Sequence, residues 1–137
     1  GNANPNALLL ANNCFDAVSK IGYPECRIIL SQTAVYLATS AKSNSTYMAI
    51  NKAIELVEQT GDKPVPIHLR NAPTKLMKQI GYGADYRYSH DYANHFVQQQ
   101  FMPDDLQGVS LYEPADNRQE NSIRELLRKL WSGIYNY

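Results

Sequence analysis

Apolar residues recur at helical spacing through the first sixty positions, in runs separated by Gly22 and by a serine- and asparagine-rich break. The first run predicts a helix from about Pro5 to Ile21, opened by a proline suited to a first helical turn and closed by Gly22. Leu8, Ala11, Phe15 and Val18 make one stripe on it, and Leu10, Cys14, Ala17 and Ile21 make a second. Two stripes predict cover on more than one side. The second helix starts at Pro24, with Glu25 in the first turn, where the helix dipole favours a carboxylate. From Ile28 to Ala41 it carries almost no charge, which predicts the central and most buried helix. A third helix begins at Ser43 or Asn44, both good N-caps, and ends at Gly61. Tyr47, Ile50, Ile54 and Val57 share one of its faces, with Lys52, Glu55 and Glu58 on the other.

Beyond Gly61 the pattern changes. Pro64 and Pro66 make Asp62 to Asn71 an extended, ordered connector. A short helix is expected from Pro73 to Ile80, burying Leu76, Met77 and Ile80 and stopping at Gly81. Tyr82 to Glu113 is irregular and rich in Tyr, Gln, Asp and Gly. Structureless loops of that length are uncommon, so its aromatic side chains are expected to hold it across the helices, with a turn at Pro103–Leu106. Asn117 and Glu120 form a variant of the capping box ahead of a last helix, whose apolar face is Ile123, Leu126, Leu127, Leu130 and Trp131. The pattern predicts an all-α protein: a compact bundle of about five helices with a long ordered Tyr-rich loop, forming a single domain over residues 1–137.

Composition adds association to this picture. With 137 residues, 44% of them apolar, the chain can build a core without metals or disulfides. Ten tyrosines against three phenylalanines favour half-wet positions such as interfaces. The zero net charge argues against non-specific nucleic-acid binding by the whole domain. Its distribution is uneven: Lys63, Arg70, Lys75, Lys78 and Arg87 precede an acidic stretch of Asp91, Asp104, Asp105, Glu113 and Asp116. These stretches either pair, within or between subunits, or are solvated loops. Cys14 and Cys26 each sit in an apolar helical pattern and read as reduced thiols of a cytosolic chain. No leader or membrane-length apolar run is present, and the missing initiator Met suggests a piece of a longer protein.

Candidate chemistry is sparse. Lys42-Ser43 follows Ala38-Thr39-Ser40-Ala41, without the glycines that let successive N–H groups converge on phosphate. His68, His90 and His95 match no zinc spacing, and either cysteine would have to leave a helix core to pair with a histidine. No catalytic residue, no metal site and no cofactor are expected in this chain.

Three segments are too particular for generic helices: Tyr36 to Asn44 (YLATSAKSN), Pro64 to Gly83 (PVPIHLRNAPTKLMKQIGYG), and Tyr88 to Tyr92 (YSHDY) with the nearby Phe96 to Leu106 (FVQQQFMPDDL). In order and spacing they resemble the C-terminal domain of the RarA family of AAA+ ATPases, also called MgsA, and its eukaryotic relatives that interact with the Werner helicase. Gly1 to Leu8 and Tyr112 to Pro114 resemble it too, so the likeness covers about residues 1 to 116. Ala41 stands where the family often has Pro.

The resemblance implies a post-AAA+ oligomerisation domain like that of clamp-loader subunits, assembling a homotetramer. It implies a parent ATPase that is DNA-dependent, uses ATP and Mg, and works in fork maintenance, recombination and repair with DNA and single-strand-binding protein, in the bacterial cytoplasm at the nucleoid. It marks Tyr36, Lys42, Ser43, Asn44, His68, Arg70 and Asn71 as motif residues. An alternative gives Lys75, Lys78 and Arg87, interleaved with tyrosines, to single-stranded DNA, where rings stack on bases and cations neutralise phosphates. A structural role for the same stretch, with Arg70 and Asn71 holding backbone groups, stands beside it.

Overall fold

Five α-helices and four single-turn 3-10 segments make up the regular structure of the computed structural model, which describes residues 1–137 and holds no β-strand. The helices are α1 (Asn6–Ile21), α2 (Cys26–Thr39), α3 (Ser45–Thr60), α4 (Lys75–Gln79) and α5 (Arg118–Trp131). The fold is all-α, as the apolar periodicity predicts. Gly22 and Gly61 close α1 and α3 at positive φ (74° and 66°), a region open to glycine at no steric cost. Ser40, extended at ψ 139°, ends α2 two residues before the sequence pattern does.

The chain divides into two units. One comprises Gly1–Asn51 with Tyr112–Glu125, and the other Lys52–Leu111 with Leu126–Tyr137.

In the first unit α1 packs on α2. The stripe through Leu10, Cys14 and Ala17 is the covered one: Cys14 is buried, and its thiol lies 4.0 Å from the Ile29 carbonyl. Cys26 and Thr33 are the buried residues of α2. The expectation that α2 is the most buried helix is overturned. Ile28, Leu30 and Val35 are 66%, 49% and 62% exposed. The absence of charge on α2 therefore marks a bare apolar surface, since hydropathy reports what a face prefers and not what covers it.

In the second unit the connector after α3 runs extended to a 3-10 turn at Ile67–Leu69. Thr74 caps α4 by accepting from the Met77 N–H at 3.2 Å. The expected buried side of α4 is corrected: Met77 is half-buried, while Leu76 and Ile80 are 66% and 51% exposed. The helix ends at Gln79, so Ile80 lies beyond it as the C-cap residue. The 82–111 segment is held by rings packed at the end of α5. Phe96, Phe101 and Tyr135 meet Trp131 edge-on at 5.2, 6.1 and 5.3 Å between centroids. Lys63 and Asp105 form an ion pair, so the basic and acidic stretches do meet here, and the Lys63 hydrogen bond holds the Asp105 carboxyl below its ordinary value. The turn expected at Pro103–Leu106 is present, closed by the Leu106 N–H on the Pro103 carbonyl at 2.9 Å.

Candidate self-association surface

Asn117 caps α5 by accepting from the Glu120 N–H at 3.0 Å, and its own amide donates to Glu120 Oε2 at 2.6 Å. That reciprocal pair turns the Glu120 carboxylate inward, where it is 0% exposed. Ser45, at the start of α3, donates to Oε1, and so does the Tyr112 hydroxyl at 2.8 Å. Asn2 donates to Tyr112 at 3.3 Å, which brings the N-terminus into the same network. Burial alone would raise the Glu120 carboxyl, but hydrogen bonds from Ser43, Ser45, Asn117 and Tyr112 override it and hold the group at about 2. Glu120 is thus a buried anion satisfied by neutral donors. Burial in turn pushes the Tyr112 phenol up, with Glu120 adding to the effect.

Asn4 ties the N-terminus to the end of α2, donating to Tyr36 at 3.2 Å and to Ser40 Oγ at 2.9 Å. Ser43 Oγ accepts from the Ser45 N–H at 3.2 Å, ahead of α3, while Lys42 and Asn44 are exposed.

In the second unit, Arg70 clamps the proline connector. Its Nε donates to the Val65 carbonyl at 2.6 Å, one terminal nitrogen donates to the Tyr82 hydroxyl at 3.1 Å, and the guanidinium lies over the Tyr82 ring at 5.1 Å. His68 Nε2 is 2.8 Å from the Gln100 carbonyl. Arg87 stands over the Tyr92 ring at 5.0 Å and donates to the Gln98 carbonyl at 3.0 Å. His90 lies between Tyr88 and His95, its ring tilted against both at 5.1 and 4.9 Å between centroids.

These networks fix a framework whose apolar faces are bare. The buried apolar residues are Cys14, Cys26 and Val97, with the prolines Pro66 and Pro114. On α1, Leu8 and Phe15 stand two turns apart at 75% and 76% exposure, and on α2, Ile28 and Val35 repeat that spacing. On α3, Tyr47, Ile50, Ile54 and Val57 alternate by three and four, each at least half exposed, which is the spacing of a seam that packs on another helix. The chain exposes 10223 Å² in all. Two separate globular bodies of half its mass would together expose about 8,700 Å². About 1,500 Å² of surplus remains by that scaling, comparable to two faces of about 800 Å² each in standard-sized interfaces.

Residues 1–131 match the protein family described as MgsA AAA+ ATPase C terminal. The chain belongs to that family. Similar to it is replication-associated recombination protein A of Coxiella burnetii, 43% identical over 128 residues, covering 93% of this chain and 29% of that protein. The protein of the same name in Escherichia coli K12 is 40% identical over 128 residues, with the same coverages of 93% and 29%. The ATPase WRNIP1 of Dictyostelium discoideum is 45% identical over 114 residues, 82% of this chain and 13% of that protein. The chain thus spans less than a third of the length of these relatives.

In this MgsA C-terminal chain the motif residues fall into separate groups. Tyr36 and Ser43 join the networks of the first unit, with Lys42 and Asn44 on its surface, and His68 and Arg70 join those of the second, with Asn71 exposed. Lys75, Lys78 and Arg87, offered together as DNA contacts, are all exposed, and Arg87 also donates to the Tyr92 hydroxyl and the Gln98 carbonyl. Glu120 was legible only as a cap; its burial depends on Ser45 and Tyr112, which sequence spacing does not connect. Arg70→Ala is expected to lower the melting temperature by several degrees, because the Val65 carbonyl and Tyr82 lose their donor and ring partner. The double change Lys75→Ala with Lys78→Ala is expected to melt within about a degree of the parent, since exposed substitutions shift stability little. Thermal denaturation followed by circular dichroism compares the two directly.

Proposed function

We propose that this chain is the self-assembling C-terminal part of an AAA+ ATPase, bringing copies together as a homotetramer through the bare faces of α1, α2 and α3. The observation that carries this reading is the surplus of exposed apolar surface. A chain of 137 residues whose buried apolar residues are Cys14, Cys26, Val97, Pro66 and Pro114 leaves its large side chains for another copy to cover. Family membership supports it, because the matched region is described as the C-terminal part of an AAA+ ATPase. On this reading ATP and Mg act in the nucleotide-binding module of the longer protein. That protein serves recombination at replication forks in the bacterial cytoplasm, with DNA and single-strand-binding protein as partners. Multi-angle light scattering over a micromolar concentration series is expected to give a mass near four times 15.5 kDa. A constant 15.5 kDa throughout would reject the proposal.

A second reading rests on Lys75 and Lys78, which stand three apart on one side of α4 and are exposed. In a tetramer four such pairs act together on single-stranded DNA. Its affinity is then expected to fall with a log–log salt slope of about 0.7 per neutralised phosphate. Replacing both lysines with Ala is expected to flatten that slope while the assembly mass stays unchanged. An unaltered slope would remove α4 from the DNA contact.

A further inference from the structure

We propose that His90 and His95 form a solvent-facing site for one divalent transition-metal ion of the zinc class, bound by one nitrogen of each imidazole. The two histidines are five residues apart, a spacing that matches no structural zinc pattern. The backbone between them brings their rings together. Two single-turn 3-10 segments, Ser89–Asp91 and Ala93–His95, follow one another and pack on each other. The Tyr92 N–H donates to the Ser89 carbonyl at 3.1 Å, and the His95 N–H donates to the Tyr92 carbonyl at 3.0 Å. Asn94 (φ 57°, ψ 20°) and His95 (φ 54°) both enter the left-handed region, which asparagine and histidine tolerate better than most side chains. That reversal sets the two rings 4.9 Å apart between centroids and tilted by 46°.

The separation suits a shared ion. Two imidazoles on one ion, each through a nitrogen about 2.0–2.1 Å away at a roughly tetrahedral angle, have ring centres about 5 Å apart. The tilt matters as well, because tilted rings converge along one side, whereas parallel rings offer no common point. The ring nitrogens are also available. Both residues are exposed and neither ring hydrogen-bonds within the chain, whereas His68 Nε2 is engaged by the Gln100 carbonyl. Turning about its last torsion lets each exposed ring present either nitrogen. The loop is braced from outside the pair. Arg87 holds the Tyr92 hydroxyl and the Gln98 carbonyl, on either side of His95 in the chain, and Phe96 packs on Trp131. Little ordering is therefore left to oppose binding. Imidazole nitrogen selects zinc, copper or nickel over magnesium and calcium, which take oxygen. No third His, Cys, Asp or Glu completes a cluster. Water then fills the remaining positions, and the expected affinity is about micromolar, well short of a four-ligand structural zinc site.

Isothermal titration of the chain with zinc chloride is expected to show one ion bound per chain, and magnesium chloride at the same concentrations is expected to give no binding heat. His90→Gln and His95→Gln are each expected to weaken zinc at least tenfold. Both positions are exposed, so the helical circular dichroism of these variants should match that of the parent. Asn94→Val changes no ligand, yet it is expected to weaken zinc too, because a β-branched residue disfavours φ 57° and lets His95 move away from His90. Copper(II) in place of zinc is expected to show two coordinated nitrogens by electron paramagnetic resonance, and one fewer in either histidine variant. Zinc binding no tighter than millimolar, or binding that survives the loss of either histidine, would overturn the proposal. So would magnesium bound as tightly as zinc, since that would mark an oxygen site elsewhere on the chain. An Asn94→Val chain that keeps the parent's zinc affinity would overturn the left-handed turn as the device that assembles the pair.

Discussion

Glu120→Ala is expected to destabilise the fold by about 3 to 5 kcal/mol, more than any other single change at a polar residue. The carboxylate is fully buried and accepts from Ser45, Tyr112 and Asn117 besides Ser43, so its removal leaves these donors without their acceptor. Each costs about 1 to 3 kcal/mol when it can neither reach water nor find a new partner, and relaxation recovers part of the sum. The melting temperature should fall by about 10 °C or more. The same group makes the stability depend on acid. Its carboxyl titrates at about 2 in the folded protein against 4.5 ordinarily, so the folded state binds this proton more weakly than the unfolded state. The contribution is therefore complete above pH 5, declines as pH falls below 4.5, and is gone near pH 2. A difference of about 2.5 units corresponds to about 3 kcal/mol. Glu120→Gln removes the titration while keeping the shape, so the gap between wild type and this variant should narrow as the pH is lowered from 6 to 3. Urea denaturation at pH 6, 4 and 3 measures it, and a gap that stays constant across the three would exclude Glu120 as the titrating group.

The sequence speaks clearly where a feature is local. Gly22 and Gly61 end helices because their backbones turn to positive φ, and the Asn117–Glu120 pair caps α5 within one turn. Pro103–Leu106 turns where the pattern places a turn. Features that join distant positions are silent. Ser45 and Glu120 are 75 residues apart, and nothing in either neighbourhood announces the other. Arg70 illustrates a middle case: its position before a helix suggests backbone work, but its partners Val65 and Tyr82 emerge only once the connector has folded.

The error over α2 has a different origin. Apolar periodicity tells which side chains avoid water when something is available to exclude it. In Ile28, Val35 and the α3 stripe that something is absent from the chain itself. A run without charge thus carries the same signature whether it lies in a core or awaits a partner. Tyrosine enrichment, read from composition, favours the second case, which the assembly measurements test.

The α3 stripe provides the sharpest test of that second case. Ile54→Asp is expected to weaken assembly at least a hundredfold while leaving the dilute, dissociated protein as stable as wild type. Ile54 is 50% exposed between Ile50 and Val57, so an aspartate there stays in water in the isolated chain. Ile and Asp differ little in helix propensity, and exposed changes of this kind stay within about 0.5 kcal/mol. In the assembled state the same position, half of it already covered, loses about 1 kcal/mol of apolar burial. The carboxylate must also shed water without a partner, which costs at least about 2 kcal/mol more. Every 1.4 kcal/mol is tenfold in the dissociation constant, so a hundredfold loss is the lower bound of that argument. Phe15→Asp on α1 offers an independent repeat of the test, at 76% exposure on a different helix. Sedimentation equilibrium should place both variants at lower mass than wild type at equal concentration. Their melting temperatures should be independent of concentration, whereas that of the wild type should rise with it, because association stabilises only the folded chain. If Ile54→Asp melted well below the dissociated wild type, the stripe would be packed within the chain and the α3 interface would have to be abandoned. If it assembled like wild type, the seam would lie outside the contact and the faces of α1 and α2 would have to carry assembly alone.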